Sequence, residues 1–255
     1  MDSPQRYRTA MELPSELSLW VQAFTDLIWP RSCVLCGVVI SDDQSEGFCP
    51  DCLSRLMADD FPVCPRCSST VGPYTDVSQG CSRCRKYRFR FSSAIRLGPY
   101  DGRLREAILR MKHLHGEPLA EWLGETWARR QPDRLLASDP QAIVPIPLHW
   151  HRRWQRGYNQ SAALARSIAE TLGCPFQPGW LIRVRPTTSQ REQTAGQRWD
   201  NVRDAFRVPG IPQVRGAKIL LIDDVMTTGA TADAAAAALR QAGAAQVALA
   251  VLAHR

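Results

Sequence analysis

Eight cysteines in four Cys-x-x-Cys pairs crowd into a 52-residue stretch near the start of this 255-residue chain. The pairs are Cys33/Cys36, Cys49/Cys52, Cys64/Cys67 and Cys81/Cys84, and 12, 11 and 13 residues separate one pair from the next. This spacing constrains the fold more than any other feature. The segment is rich in Pro, Gly and Ser and holds too few apolar residues to build a core of its own. Nothing at the start of the chain resembles a secretory signal, because MDSPQRYRTAMEL has no apolar stretch after its basic residues. No run of about 18 apolar residues occurs, so membrane insertion is not expected and a cytoplasmic location is. In a reducing compartment, dense cysteines point to metal rather than to disulfides.

Two knuckles supply four thiolates, the ligand set of tetrahedral zinc. Four knuckles therefore predict two zinc sites of a structural kind, since four thiolates close the coordination shell. A redox dithiol would need one knuckle beside a strand–helix unit, not four in a loop-rich segment. An iron–sulfur cluster is the other alternative. Consecutive pairing gives Cys33, Cys36, Cys49, Cys52 and Cys64, Cys67, Cys81, Cys84. Interleaved pairing remains open on spacing alone.

Charge is unevenly spread. Residues 1–80 hold 5 Lys/Arg against 11 Asp/Glu, and residues 81–255 hold 27 against 14, so an acidic head precedes a basic body. A basic body suggests an anionic partner such as phosphate or nucleic acid. The stretch CSRCRKYRFR, residues 81–90, sets five basic and two aromatic residues beside the last knuckle, a pattern able to grip nucleic acid, to form a solvated hairpin or to pack as a basic edge on the next domain. Upstream, Leu17, Trp20, Val21, Phe24, Leu27 and Ile28 recur at helical spacing, with Ser15 as N-cap and Pro30 as stop. Residues 1–30 thus read as an extension with an amphipathic helix that packs on protein, since its polar face lacks lysines.

The remainder alternates strands and helices. Strands are expected at 92–100, 142–147, 217–223 and 246–253, and helices at 101–114, 117–130, 157–172 and about 230–242. That order implies a mostly parallel sheet flanked by helices, an α/β fold whose ligands bind beyond the carboxyl ends of the strands. One such end is ILLIDDVMTTGAT, residues 219–231. A buried aliphatic strand delivers Asp223 and Asp224 to its carboxyl end, and Thr227-Thr228-Gly229-Ala230-Thr231 turns into a helix. Unpaired N–H groups and hydroxyls at such a turn make a cradle for one phosphate. Carboxylates beside it suit hydroxyls or a metal, and together the two parts describe a sugar phosphate.

This stretch resembles the thirteen-residue phosphoribosyl pyrophosphate (PRPP) motif of type I phosphoribosyltransferases. That resemblance implies ribose 5-phosphate on Thr227–Thr231, with Asp223 and Asp224 facing the ribose hydroxyls and Mg²⁺ nearby. Val144-Pro145-Ile146-Pro147 followed by Arg156-Gly157-Tyr158-Asn159-Gln160 is similar to the signature of the ComF family. Further matches are Arg183, Arg185, Thr187, Gln190, Arg198, Asn201-Val202 and Ala205-Phe206. The resemblance covers nearly all of residues 30–255 and implies a double zinc ribbon at 31–91 joined to a phosphoribosyltransferase domain at 92–255. Members include competence proteins and a protein of DNA utilisation, so other DNA-uptake proteins are implied partners beside PRPP and single-stranded DNA.

Each inherited role has a physical basis. Arg152, Arg153 and Arg156 could fork onto pyrophosphate, and Gly157 admits the backbone of a loop close to it. Trp150 and Trp154 could stack on a base. Lys112 is a further candidate pyrophosphate contact. Residues 183–198, RVRPTTSQREQTAGQR, resemble a flap that closes over substrate, with Arg185, Gln190 and Arg198 as its candidate contacts. The expected chemistry is displacement at the anomeric carbon, with the acceptor unspecified. A non-enzymatic protein that senses PRPP or binds single-stranded DNA is the alternative.

Overall fold

The computed structural model describes residues 31–40, 47–148, 156–185 and 195–255. The helix expected at 15–30 lies outside these residues, as do Arg152, Arg153, Trp150, Trp154, Thr187 and Gln190. The chain divides into two compact units, Met1–Cys49 and Pro50–Arg255.

In the first unit the Cys33-x-x-Cys36 knuckle is a tight β-turn device. Ser32 bridges Val39 antiparallel, and the Cys33 N–H donates to Val38 O at 2.8 Å while Gly37 N–H returns to Cys33 O at 2.8 Å. The second unit repeats this pattern: Val63 bridges Thr70, Cys64 N–H donates to Ser69 O at 2.9 Å and Ser68 N–H to Cys64 O at 2.8 Å. The position after the knuckle is left-handed in both, Gly37 at φ 75° and Ser68 at φ 54°.

The second unit runs α1 (Pro50–Met57), α2 (Ser82–Tyr87), β1 (Ala94–Pro99), α3 (Gly102–Arg110), α4 (Glu117–Arg130), α5 (Pro132–Leu136), β2 (Ala142–Pro145), α6 (Gln160–Leu172), β3 (Ile182–Arg183), α7 (Ala195–Val202), β4 (Phe206–Arg207), β5 (Lys218–Met226), α8 (Ala230–Gln241) and β6 (Gln246–His254). Strands β1-β6-β5-β2 form one sheet with every pair parallel, so the expected mostly parallel sheet is present. The short strands β3 and β4 pair antiparallel beside it. Among the described residues no helix is long and apolar enough to cross a membrane.

β5 is one of the two interior strands. Ile219, Leu220, Leu221 and Ile222 are all buried, because helices cover both faces of a parallel sheet. Burying each contributes about 1.5–3 kcal/mol. On one face Ile219 and Leu221 share a cluster with Ala232, Ala235, Ala236 and Leu239 of α8. That cluster also contains Cys64, Cys67, Cys81, Cys84, Phe89 and Phe91, so the second ribbon is continuous with the sheet's core. On α6, Asn159 caps the N-terminus through Ser161 N–H at 3.1 Å, and Gly173 in the left-handed conformation ends it. Gly124 lets α4 cross α6 closely: a Cβ there would sit 2.7 Å from Leu164 O.

Candidate sugar-phosphate site

β5 runs three residues beyond the expected end at 223, because Val225 and Met226 still pair with Ala253 and His254 of β6. With this extension Asp224, like Asp223, stands on the paired strand rather than on a loop. The Asp223 carboxylate accepts from its neighbour's N–H (Asp224 N, 2.9 Å) and from Ser161 Oγ at 3.0 Å. Asp224 accepts from Val225 N–H at 2.8 Å, from Gln160 Nε2 at 3.3 Å and from Lys112 Nζ at 2.8 Å. Burial and the adjacent Asp224 charge push the Asp223 carboxyl up to about 7. Burial acts on Asp224 in the same direction, but the Lys112 ammonium and the hydrogen bonds from Lys112, Val225 N–H and Gln160 together outweigh it and hold that carboxyl below its ordinary value. The two carboxylates are thus unequal: one is a fixed anion and the other takes up a proton near neutrality.

Lys112 stands in the turn after α3, where Met111 O accepts from the buried Tyr158 hydroxyl. Burial pushes that phenol up to about 12, so it stays protonated and keeps its proton for the Met111 carbonyl. Sequence reasoning placed Lys112 near the site but missed Gln160 and Ser161. The missed signal was Asn159 as N-cap, which aims the two polar residues after it at the end of β5. Arg156 and Gly157 precede this cap, and Gly157 adopts φ 79°.

The candidate phosphate loop, Thr227–Thr231, follows directly. Gly229 has φ 83° and ψ −2° and caps α8, whose first residue is Ala230. The Ala230 N–H reaches Thr228 Oγ1 at 3.4 Å. Beneath it lies the second ribbon's outgoing segment. The Arg83 guanidinium donates to Thr227 O and to His254 Nε2, the latter at 3.2 Å. Burial, aided by the charges of Arg83 and Arg96, drives His254 down to about 3, which keeps it a neutral acceptor. Arg90 grips the buried Asp233 carboxylate through its backbone N–H at 2.6 Å and Nη1 at 2.9 Å. Arg85 donates to Gly80 O at 3.0 Å. Three of the five basic residues in 81–90 are therefore committed to internal bonds.

Two flap candidates, Arg185 and Arg198, lie on either side of the undescribed residues 186–194, and Gln190 falls among those residues. Arg185 Nη1 donates to Arg203 O at 2.9 Å, and Arg198 lies on α7. On the same helix Trp199 stacks on Tyr87 at 5.1 Å between centroids.

The cysteines settle the zinc pairing. Cys64, Cys67, Cys81 and Cys84 gather with all sulfurs within 4.8 Å of one another. The separations of Cys64 to Cys84, Cys67 to Cys81 and Cys81 to Cys84 are 3.8, 3.4 and 3.9 Å. Tetrahedral Zn–S bonds of about 2.3 Å imply sulfur edges of about 3.8 Å, so these four residues suit zinc. Consecutive pairing then leaves Cys33, Cys36, Cys49 and Cys52 for the other site. Within the first unit Cys36 and Cys49 sulfurs are 3.6 Å apart. Burial raises the Cys33 thiol, but backbone donors at Cys49, Cys36 and Leu35 outweigh it and bring it down to about 6, which favours the thiolate a metal needs.

Known proteins agree with this layout. Residues 24–85 match the double zinc ribbon domain and residues 159–255 match the phosphoribosyl transferase domain. The molecule is thus a double zinc ribbon joined to a phosphoribosyltransferase fold. It is 31% identical to DNA utilization protein YhgH of Salmonella typhi over 86% of this chain and 94% of that protein. It is 30% identical to Competence protein F of Haemophilus influenzae, covering 77% and 86%, and 26% identical to Competence protein ComFC of Bacillus subtilis, covering 83% and 89%. The chain belongs to the ComF family. A solved glutamine PRPP amidotransferase from B. subtilis, in complex with ADP and GMP, overlays 56% of this chain and 30% of its own, with 19% identity and a TM-score of 0.39.

Proposed function

We propose that this protein binds PRPP together with Mg²⁺ at the end of β5 and serves the uptake or use of DNA. The observation that carries the reading is one strand delivering, within nine residues (223–231), two braced carboxylates and a left-handed glycine turn at a helix N-terminus. Thr227, Thr228, Gly229, Ala230 and Thr231 would cradle the 5-phosphate. Asp223 and Asp224 would accept the ribose hydroxyls, with Lys112, Arg156 and the loop at Gly157 toward the pyrophosphate. Residues 183–198, with Arg185, Gln190 and Arg198, would close over the sugar. Mg²⁺, arriving with PRPP, neutralises pyrophosphate charge.

The chemistry this arrangement suits is pentosyl transfer. The C1–oxygen bond to pyrophosphate breaks and pyrophosphate leaves with the electron pair. An acceptor nucleophile bonds to C1 and releases its proton. Positioning and charge stabilisation supply the acceleration. The DNA role rests on the names of the relatives and on the basic character of residues 81–255, which favours single-stranded DNA as a further ligand.

Calorimetric titration of the zinc-loaded protein with PRPP and Mg²⁺ tests the site. Binding by the wild type and its loss in Asp223→Ala/Asp224→Ala support it, whereas a wild type that releases no heat of binding sinks the reading. Binding to single-stranded DNA through phosphate contacts should weaken steeply between about 50 and 200 mM salt.

A further inference from the structure

The second ribbon touches the phosphate loop at three successive points. Arg83, between the ligands Cys81 and Cys84, holds the Thr227 carbonyl. Phe89 lies against Gly229: a Cβ on that glycine would come within 2.7 Å of the ring. Arg90 holds Asp233, whose side chain is 3% exposed, in the first turn of α8. The entry of the loop, its turn and its helical exit are each secured from outside the strand–helix unit that contains them.

These contacts determine where the loop's donors point. In a trans peptide the carbonyl and the following N–H lie on opposite sides. Fixing Thr227 O toward the Arg83 guanidinium therefore turns the Thr228 N–H to the opposite side of the loop. Phe89 closes the face of Gly229 that a side chain would occupy, and Gly229 must remain glycine both for this contact and for its φ of 83°. Phe89 is itself held in a stack with Phe91 at 4.7 Å and Trp199 at 6.2 Å. The ring thus joins the ribbon, the loop and α7.

We propose that Arg83 and Phe89 are positioning residues of the phosphate loop, and that the second zinc ribbon is in this way a working part of the sugar-phosphate site. The inference rests on the PRPP reading for the identity of the ligand but not for the arrangement of the loop. Guanidinium donation to a backbone carbonyl is a charge-assisted bond, so its loss should be felt as disorder of the loop amides and as weaker binding.

The test compares wild type with Arg83→Ala, Arg83→Lys and Phe89→Ala in the full zinc-loaded chain, each checked for two zinc ions per chain. Hydrogen exchange of residues 227–233 is measured without ligand, and PRPP–Mg²⁺ affinity by calorimetry. Arg83→Ala should exchange about tenfold faster in 227–233 and bind PRPP roughly 10- to 100-fold more weakly, with Arg83→Lys recovering much of both. Equal exchange and affinity in Arg83→Ala and wild type would overturn the proposal. So would equal losses in the alanine and lysine variants, because donation would then be irrelevant. Should Arg83→Ala lose zinc, Phe89→Ala, outside the knuckle, decides by the same exchange criterion. If the wild type fails to bind PRPP, the ligand assignment falls while the exchange comparison still judges the positioning role.

Discussion

The carboxylate pair and the candidate phosphate loop are neighbours on the chain, yet different parts of the molecule hold them. Asp223 and Asp224 are braced by Ser161 and Gln160 of α6 and by Lys112 of the turn after α3, all within the strand–helix body. Thr227, Gly229 and Asp233 are braced by Arg83, Phe89 and Arg90 of the ribbon segment. A parallel sheet can aim a carboxylate precisely because a strand end is stiff. A glycine turn has no such stiffness and borrows it from a segment organised by metal. The difference teaches that a module without a core of its own can still impose order, provided that its own order comes from coordination.

Removing the metal breaks this contrast most severely. Replacing Cys64 and Cys84 by serine should leave one zinc per chain and cost the ribbon folding energy on the order of 10 kcal/mol. Exchange mapping should then show residues 61–91 and 227–233 losing protection together, while 219–224 keeps most of its own. Uniform loss along β5 would show that both parts of the site share one support.

The next effect concerns the ribbon's anchor on the sheet. Arg96 of β1 is fully buried and forks onto Asp59 at 2.8 and 2.9 Å, with further bonds to Ser68 O and Thr70 Oγ1. Arg96→Met strands the Asp59 carboxylate, so urea unfolding should report a loss of about 3–5 kcal/mol.

On the other side of the comparison, pH should act through Asp223. Its folded carboxyl titrates at about 7, above the ordinary 3.8, so the folded state holds a proton that the unfolded state releases. Stability therefore falls as pH rises from about 4 and levels off above about 7. Asp223→Asn should flatten that slope and be the more stable form at pH 8, by on the order of 1–3 kcal/mol in denaturant midpoints. Ionisation over the same window should strengthen PRPP–Mg²⁺ binding, since a carboxylate accepts hydroxyls and faces cations better than an acid.

The smallest effect has the opposite sign. Ser68 occupies the left-handed position that Gly37 fills in the first knuckle, and its buried hydroxyl has no hydrogen-bond partner among the described residues. Ser68→Gly removes both burdens and should raise the unfolding free energy from urea titration by roughly 1 kcal/mol, without altering the pH response of Asp223.

The sequence made some of this site legible and hid the rest for physical reasons. The aliphatic run into Asp223-Asp224 and the small-residue turn after it announce strand, carboxylates and helix start, because each rests on local chemistry. Asn159 and Gly173 likewise delimit α6. Zinc pairing could not be read, since near-equal intervals allow either order until the chain path is known. The aromatic set Tyr87, Phe89, Phe91 and Trp199 joins segments more than 100 residues apart, and no periodicity within either segment signals it. The charges of 81–90 left nucleic-acid binding, a solvated hairpin and a packed basic edge all open for the same reason. Composition shows five cations there, whereas only the fold reveals that Arg83, Arg85 and Arg90 bond inward.

The shared cluster of Cys64, Cys67, Cys81, Cys84, Phe89 and Phe91 with Ile219, Leu221 and α8 also bears on how such a chain can be cut or recombined. A gene fragment starting at residue 92 would encode a sheet with one greasy flank laid open to water, and grafting the cysteine segment onto a foreign protein would leave its inner side equally bare. The two stretches can be inherited, expressed or transplanted only as a single piece.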